Sequence, residues 1–463
     1  MAFLKKRYRE HDATGFFPGK GTFAHGVHPP ERKSLAADAP IEIMPIPEKV
    51  LLPLQQHIGG PCTPMVKAKQ EVIFGEMVGK GEVFVSAPIH APVSGVVQKM
   101  ETVTLANGRH LQAIAIRAEG EQVDVQTLWD QMFGGNWPQK SYQALSPEKI
   151  SKAIHKAGIV GLGGAAFPTH VKITPNDQKP IEILMVNGCE CEPYLTTDYR
   201  VMVEAPEAVV AGTLLAARAV GAKKAYIGIE DNKMEAVASL RQAASGAGIH
   251  IAVLKTKYPQ GSEKHLIKAA LNREVPLGGL PSDIGVAMTN VATATSLARA
   301  VMRDLPLTHR VISVSGGGIV QPKNLMVPIG IAMGELINYC GGLRKTAARI
   351  IAGGPMMGFA FTNLKIPVTK GTSGITVLSH EEIRRVERSV CVRCGRCVDV
   401  CPMNLVPTKI AMASRLNQLN LARKYNIMAC FECGSCSYIC PAALPLVQLI
   451  RTGKASIAAE MKK

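Results

Sequence analysis

Two cysteine-rich stretches near the C-terminus determine the fold of the chain around them. They read CVRCGRCVDVCP over residues 391–402 and CFECGSCSYICP over residues 430–441. In both, the cysteines are separated by two, two and three residues, and a proline follows the fourth cysteine. The second stretch begins 39 residues after the first, so this is an internal repeat. We expect the two copies to fold together as one domain.

This spacing is typical of the cysteines that ligate cubane iron–sulfur clusters. The two-residue gaps let a tight loop bring three thiolates to one cluster, and the fourth cysteine ligates the other cluster. We therefore predict two [4Fe–4S] clusters. The predicted ligands are Cys391, Cys394, Cys397 and Cys440 for the first cluster, and Cys430, Cys433, Cys436 and Cys401 for the second. The alternatives are two zinc sites or free thiols, and the spacing disfavours them because zinc sites usually combine two Cys-x2-Cys pairs or use histidine.

Length and composition restrict the classes of protein that remain. The chain has 463 residues, 47% of them hydrophobic, and 12 cysteines. At roughly 150 residues per domain, length alone predicts a chain of about three domains. The net charge of +17 favours contact with an acidic protein, an anionic membrane surface or nucleic acid. Nucleic-acid binding is disfavoured, because the chain has only two tryptophans and 5% aromatic residues and contains no recognisable nucleic-acid-binding motif.

The sequence contains no apolar stretch of the ~18 residues that a membrane span needs. Its first residues, MAFLKKRYR, include no apolar core of a secretory signal. We therefore expect a cytoplasmic protein that is attached to a membrane only through partners. In that compartment the cysteines are expected to bind metal rather than to form disulfides.

Hydrophobic patterning divides the chain into five parts and predicts a multidomain α/β protein. Short apolar runs broken by Gly and Pro, such as 72–74 and 83–85, predict a β sandwich. After a linker at 133–140, strands alternate with helices, which predicts βαβ units and a parallel sheet. The predicted parts are a basic arm (1–39), the sandwich (40–135), the α/β domain (140–305), a small α+β module (308–378) and a helical two-cluster domain (381–463).

Within the α/β part, individual elements can be placed. Ser146 followed by Pro147 predicts the capped start of a helix. Later elements follow from apolar periodicity. We predict strands at 181–186, 225–229 and 249–254, and helices at 205–220 and 232–244.

Two segments of the α/β part have the character of a ligand site. Residues 158–169 read GIVGLGGAAFPT, and clustered glycines let a backbone approach a phosphate or a flat ring closely. A tight turn without any ligand explains the same glycines. Residues 187–193 read NGCECEP and follow a predicted strand, at the edge where parallel sheets bind ligands. The Cys189-x-Cys191 pair fits buried thiols better than a metal site.

These segments and two later ones resemble the flavin site of the NADH-oxidising flavoprotein subunit of respiratory complex I. The matching residues are Gly161, Gly163, Gly164, Phe167 and Lys172, then Asn187, Glu190 and Glu192, then Tyr258, Gly261 and Glu263, and finally Asn290 and Thr293. The chain departs from that family at Leu162, Cys189 and Ser262, where the family has arginine, aspartate and glutamate.

The resemblance implies a non-covalent FMN and NADH or NAD⁺ as substrate. It implies that Glu190, Glu192 and Glu263 orient the nicotinamide and its ribose. It also implies that Lys172 and Asn187 hydrogen-bond the flavin and its phosphate. No side chain is expected to act as a nucleophile or general base, because the cofactors carry the chemistry.

The chain as a whole resembles the RnfC family, the C subunits of Rnf-type (Rsx) electron-transport complexes. The resemblance includes GVHPPERK at residues 26–33, a biotinyl/lipoyl-like sandwich without a lysine at the position of acylation, and a β-grasp module at 308–378. It implies a peripheral subunit on the cytoplasmic face of the bacterial inner membrane. The implied partners are the other subunits of the complex, a ferredoxin-like iron–sulfur subunit among them, ferredoxin or flavodoxin through the complex, and an anionic membrane surface. The alternative is a non-catalytic two-cluster wire with a degenerate flavin site.

Overall fold

The computed structural model describes residues 17–138, 144–174, 178–384 and 386–460. Residues 1–16 of the predicted arm and 139–143 of the predicted linker lie outside this part of the chain. The rest of the arm, including a 3₁₀ turn at Lys33–Leu35, packs against later parts of the protein. Among the described residues, no helix is long and apolar enough to cross a membrane.

The first group of elements forms two small antiparallel sheets around a shared core. One sheet has the order β2-β9-β7-β4 with β8 also paired to β9, and the other has the order β3-β5-β6. Inward-facing Val50, Leu52, Ile114 and Ile116 have no exposed surface. The elements are β1 (Ile41–Ile43), β2 (Lys49–Pro53), β3 (Cys62–Pro64), β4 (Glu71–Val72), β5 (Met77–Gly81), β6 (Ile89–His90), β7 (Gly95–Val97), β8 (Glu101–Thr104), β9 (His110–Ala118) and α1 (Val125–Met132).

Two expectations for this region are wrong. The run 83–85 forms a bend and not a strand, because it folds over the 58–60 turn, where the Gly60 N–H donates to the Val85 carbonyl. The predicted linker at 133–140 is not an exposed connection throughout, since Phe133 and Trp137 are buried and Arg303 stacks 3.7 Å from the Trp137 ring centre, whereas residues 135, 136 and 138 are exposed.

The second group is a parallel sheet flanked by helices, as the sequence predicts. The strand order is β12-β11-β10-β13, and all neighbours are parallel. The Ser146 hydroxyl caps the first helix by accepting from the Lys149 N–H. The elements are α2 (Pro147–Lys156), α3 (Thr169–Ile173), β10 (Ile183–Asn187), α4 (Thr197–Glu204), α5 (Pro206–Val220), β11 (Lys224–Glu230), α6 (Met234–Ala243), β12 (Ile249–Leu254), α7 (Glu263–Leu271), a 3₁₀ turn (Pro281–Ile284), β13 (Val286–Asn290) and α8 (Val291–Arg303).

The third group is a mixed sheet with one helix. Its order is β1-β15-β14-β18-β16-β17. Strand β1 pairs in parallel with β15, so Ile41–Ile43 lies in this sheet and not in the sandwich where the sequence-based boundary puts it. The elements are β14 (His309–Ser315), β15 (Lys323–Pro328), α9 (Met333–Tyr339), β16 (Ala347–Ala352), β17 (Phe359–Phe361) and β18 (Gly374–Ser379).

The fourth group is helical and has a separate core that includes Ile410, Leu446 and Ile450. The helices Pro407–Arg415 and Leu446–Glu460 pack against each other, and the cysteine loops lie around them. The elements are α10 (Arg396–Asp399), α11 (Pro407–Arg415), α12 (Leu419–Lys424), a 3₁₀ turn (Ile427–Ala429), α13 (Ser435–Ile439) and α14 (Leu446–Glu460).

A buried lysine joins the first three groups. The Lys370 side chain is 1% exposed, and its Nζ donates to the carbonyl oxygens of Pro88 in the sandwich and Gly158 in the α/β part. Its backbone N–H donates to the Gln56 side chain. Burial lowers the pKa of the Lys370 ammonium to about 7.

We predict that this lysine makes the stability of the protein depend on pH. Because the pKa is lower in the folded than in the unfolded chain, the unfolded chain binds more protons between about pH 7 and pH 10.5, and stability rises with pH across that window. Lys370→Met lacks this contribution. Anaerobic thermal unfolding should show the stability of the native chain, relative to the variant, rising by up to a few kcal/mol from pH 7 to pH 10. A constant difference would show that the lysine does not titrate in this window.

Candidate functional site

The site is built at the carboxyl ends of the two strands β10 and β13. The strands run in parallel register and place Asn187 beside Asn290. The Asn290 Oδ1 caps helix α8 by accepting from the N–H groups of Ala292 and Thr293. Its Nδ2 donates to the Asp198 carboxylate at 2.6 Å. The Asn187 Nδ2 donates to the Gly261 carbonyl at 2.7 Å.

The glycine-rich loop lies over this sheet edge. The Leu162 N–H donates to the Thr293 hydroxyl at 2.8 Å, and the Gly161 N–H donates to the Phe167 carbonyl. A Cβ on Gly163 would lie 3.4 Å from the Asn290 Cβ, so this part of the loop lies directly against Asn290. Thus Gly161, Gly163, Phe167, Asn290 and Thr293, all predicted from sequence, are brought together.

The exposed part of the loop has the properties of an anion cradle. Residues 163–165 are exposed, and Gly164 has a φ of 110° with nothing within 4 Å of a Cβ placed there. Their three N–H groups donate to no residue in the described part of the chain. Consecutive free N–H groups in a turn bind phosphate well, so this loop fits the phosphate of a flavin nucleotide.

Lys172 and Glu263 form a pair beside the loop. Their side chains are 2.5 Å apart at the nearest atoms and are 39% and 45% exposed, so a ligand can reach both. Exposed ion pairs contribute little to stability, so separating Lys172 from Glu263 would cost little. Both side chains can therefore contact a ligand instead of each other.

Glu190 and Glu192 differ from that pair because backbone N–H groups already bind their carboxylates. Glu190 accepts from the N–H groups of Asp198 and Tyr199 and caps helix α4. Glu192 accepts from the N–H groups of Met356 and Met357 in the third group of elements. Burial raises the pKa of Glu192 to about 7, against the opposing effect of those N–H groups.

Sequence reasoning did not assign a role to two residues here. Lys33, inside the quoted GVHPPERK segment, donates its Nζ to the carbonyls of Glu190, Glu192 and Leu195 and so fixes the loop that carries both glutamates. Asp198 lies beneath Asn290, and burial followed by the Glu190 charge raises its pKa to about 7. The GVHPPERK segment at 26–33 could have pointed to a role for Lys33 from the sequence, whereas no sequence pattern pointed to Asp198.

Tyr258 connects this site to the cysteine loops. It is buried, and its hydroxyl donates to the Cys433 carbonyl at 2.6 Å. Nearby, Gly434 has a φ of 85°, and a Cβ there would lie 2.6 Å from the Met356 carbonyl oxygen. Only glycine therefore lets the second cysteine loop pack this closely against Met356.

The predicted ligands of the second cluster surround one cavity. It is otherwise lined mainly by apolar side chains, including Leu405, Ile410 and Val447. The cysteines that line it are Cys401, Cys430, Cys433 and Cys436. Four thiols from both repeats around one apolar space fit a cubane cluster with an exchanged fourth ligand.

The first set of cysteines lies nearer the surface. Cys391 and Cys394 are exposed, whereas Cys397 and Cys440 are buried in the core of the helical group. Cys189 and Cys191 lie outside both repeats, although Cys191 packs against the small apolar cluster of Tyr258 and Cys433. Cys189 is buried and Cys191 is partly buried, and burial raises the pKa of both thiols. Among the residues that the structure describes, no three Cys, His, Asp or Glu side chains form a site for a single metal ion.

A glycine-lined flavin site joined to a domain with two cysteine repeats defines an iron–sulfur flavoprotein. Comparison with family models agrees with that class. The chain matches the RnfC barrel sandwich hybrid domain over residues 21–121, the Nuo51 FMN-binding domain over 154–299, the SLBB domain over 311–360 and a 4Fe-4S dicluster domain over 383–441. The cofactors are thus FMN and [4Fe–4S] clusters.

Curated relatives identify the family. The chain is 44% identical to the C subunit of the proton-translocating ferredoxin:NAD(+) oxidoreductase complex of Clostridium ljungdahlii, covering 93% of each chain. It is 42% identical to the Na(+)-translocating counterpart of Acetobacterium woodii, covering 96% of this chain and 98% of the relative. It is 41% identical to the C subunit of the ion-translocating oxidoreductase complex of Rhodobacter capsulatus, covering 93% and 82%. The chain belongs to this RnfC family of Rnf-type complexes.

A solved structure shares the fold at low identity. The crystal structure of NAD⁺-reducing [NiFe]-hydrogenase in the H₂-reduced state aligns with a TM-score of 0.50 and 20% identity. The match covers 74% of this chain and 66% of that one. At this identity the likeness concerns the fold alone.

We predict that Cys436→Ser removes one cluster and leaves the other. Serine is a poor ligand for a [4Fe–4S] cluster, so anaerobically purified variant should contain about four of the roughly eight irons of the native chain. Cys340→Ser is the matched control, since Cys340 is also a buried thiol but lies outside both repeats. Iron and acid-labile sulfide per chain are measured, and an unchanged iron content in Cys436→Ser would refute the ligand assignment.

Proposed function

We propose that this chain is the NADH- or NAD⁺-reactive peripheral subunit of an Rnf-type membrane complex. It passes electrons between NADH, FMN and two [4Fe–4S] clusters, while other subunits translocate ions and react with ferredoxin. FMN, when bound, takes up the two electrons of a hydride and transfers them singly. The chain's own residues bind, orient and connect these groups.

The observation that carries the proposal is the contact between Tyr258 and Cys433. Tyr258 belongs to the flavin segment, and Cys433 lines the cavity of the second cluster. A second connection runs from Glu192 through Met356 to Gly434. The flavin segment and the second cysteine loop pack directly against each other. This supports electron transfer between FMN and the second cluster within this chain, without a carrier from another subunit.

The side chains that bind the nucleotide divide into two groups by accessibility. Lys172 and Glu263 are accessible and suit direct contact with the flavin or the nicotinamide. Glu190, by contrast, orients helix α4 and with it Asp198. Asn187 and Tyr258 hold the 258–261 turn against the sheet edge, since Asn187 donates to the Gly261 carbonyl.

The first cluster loop is the proposed point of exchange with a partner. Cys391 and Cys394 are exposed, and Arg393 and Arg396 beside them are also exposed. This basic, cluster-bearing surface suits an acidic ferredoxin-like subunit, and through it ferredoxin or flavodoxin. The net charge of +17 also suits an anionic lipid surface, which supports a position on the cytoplasmic face of the bacterial inner membrane.

The test uses anaerobically purified full-length protein. Iron, sulfide and flavin are measured per chain, and NADH is then added while flavin absorbance and the cluster signals in electron paramagnetic resonance are followed. We expect about eight irons and one FMN, with the flavin bleached first and the clusters reduced afterwards. Eight irons without flavin, even after FMN is added, would support the alternative of a two-cluster wire.

We predict that Tyr258→Phe slows the step from flavin to cluster. The variant loses the hydrogen bond to the Cys433 carbonyl, worth about 1 kcal/mol, and loosens the packing between the two sites. Stopped-flow measurement should show near-native flavin reduction by NADH and slower cluster reduction. Tyr226→Phe is the control, because Tyr226 is also buried in the α/β part and stacks on His250 away from the cysteine loops. Equal slowing in both variants would contradict the proposed route.

A further inference from the structure

Arg310 is a buried cation directly behind the glycine-rich loop. It lies on strand β14 of the third group and is 4% exposed. Its Nη2 donates to the Leu162 carbonyl at 3.2 Å and to the Thr372 carbonyl at 2.9 Å. Its Nε and Nη1 are buried and have no hydrogen-bond partner in the described part of the chain.

The charge of Arg310 is not neutralised by a bonded carboxylate. Asp198 is the carboxylate whose charge favours the protonated guanidinium, but its Oδ2 accepts from Asn290 and no bond to Arg310 is formed. Burial lowers the pKa of Arg310 to about 10, so the side chain is still charged at neutral pH. A buried cation with two unused donor groups is costly unless an anion is bound nearby.

The glycine-rich loop in front of Arg310 is the place for such an anion. Its exposed 163–165 segment offers three N–H groups without partners in the described part of the chain. The third group packs against the same loop at a second point, since a Cβ on Gly371 would lie 3.2 Å from the Ala166 Cβ. The loop thus lies between solvent on one face and a charged, rigid support on the other.

The sequence of the loop itself lacks a cation. Leu162, where the related flavoproteins have arginine, is 3% exposed and packs into the core. Arg310 binds the carbonyl of this same residue from a different part of the chain. A positive charge is therefore present behind the loop although no basic residue occurs within it.

We propose that Arg310 supplies the positive charge that binds a nucleotide phosphate at the 161–166 loop. It acts as a positioning residue, through the Leu162 carbonyl and through its field, while the free N–H groups of the loop contact the phosphate. The phosphate is that of FMN or the pyrophosphate of the dinucleotide, two sources of the same chemistry. The inference rests on the proposed function, because it needs a nucleotide in this site.

The test compares ligands that differ only in phosphate. Binding of FMN and of riboflavin to flavin-depleted full-length protein is measured by fluorescence quenching, and binding of NADH and of reduced nicotinamide riboside is measured on FMN-loaded protein. Arg310→Met should weaken the phosphate-bearing ligand about tenfold to a hundredfold, the range of one charge-assisted interaction, and leave its phosphate-free analogue unchanged. Arg310→Lys keeps the charge and should recover most of the affinity.

Arg299→Met is the matched control. Arg299 is equally buried, but its hydrogen bond goes to the His309 carbonyl and not to the loop. Because Arg299 is close enough to Arg310 for the two charges to repel each other, Arg299→Met also removes a nearby positive charge, and its phosphate-selective loss should be clearly smaller than that of Arg310→Met. If Arg310→Met does not fold, Arg310→Lys and Arg310→Gln are compared in the same way, with Gln expected to lose phosphate selectivity.

The outcomes separate the possibilities. Selective loss of FMN affinity in Arg310→Met would show that the loop binds the flavin phosphate. Selective loss of NADH affinity, with FMN affinity retained, would show that it binds the pyrophosphate of the dinucleotide. Equal loss for phosphate-free analogues, or no loss in Arg310→Met, overturns this inference and leaves the proposed function intact. If the native chain binds neither FMN nor NADH, the proposed function fails, and the inference fails with it.

Discussion

The parallel pairing of β10 with β13 is the constraint on which the site depends. It places Asn187 and Asn290 side by side at the sheet edge. Asn187 then holds the Gly261 turn, and Asn290 caps helix α8 and binds Asp198. The glycine-rich loop is positioned in turn by Thr293, one turn into the same helix. If one of these strands shifted by one residue, its asparagine would point to the other face of the sheet, and Asn187 and Asn290 would no longer lie side by side.

The first three groups of elements share one apolar core, and polar contacts to backbone carbonyls also join the groups. Lys370 connects three groups, Arg310 connects the third group to the glycine-rich loop, and Tyr258 connects the flavin segment to a cysteine loop. Such contacts are directional, and a buried donor that loses its partner is costly. They therefore fix the positions of the flavin site and the clusters more strictly than apolar packing alone. This matters for a protein that carries electrons between separate centres.

Patterns of short range predicted much of the fold. The strands and helices predicted between 181 and 254 are present, and Ser146 caps its helix, but helix α4 was not predicted. The failures have tertiary causes. The run 83–85 is apolar but lies on a bend, exposed at Val83 and Phe84, because the 58–60 turn supplies its hydrogen bond. Strand β1 joins the third sheet, because its partner β15 is far away in the chain and no local pattern reveals it.

The sequence alone determined the cofactor chemistry of this protein. The cysteine spacing is a local pattern whose geometry depends on neighbouring residues, so the linear sequence is enough to identify the cluster ligands. The flavin followed from the resemblance of four separate segments to a known flavin site, since the glycine-rich loop alone also fits a tight turn without a ligand. Only the tertiary structure decided which of the glutamates are accessible. Glu190 and Glu192 are bound by backbone N–H groups from helix α4 and from the 356–357 turn, whereas Glu263 remains open beside Lys172. Only the tertiary structure also revealed that Arg310 is a buried cation behind the glycine-rich loop, because the burial of a side chain depends on contacts between residues that are distant in the chain.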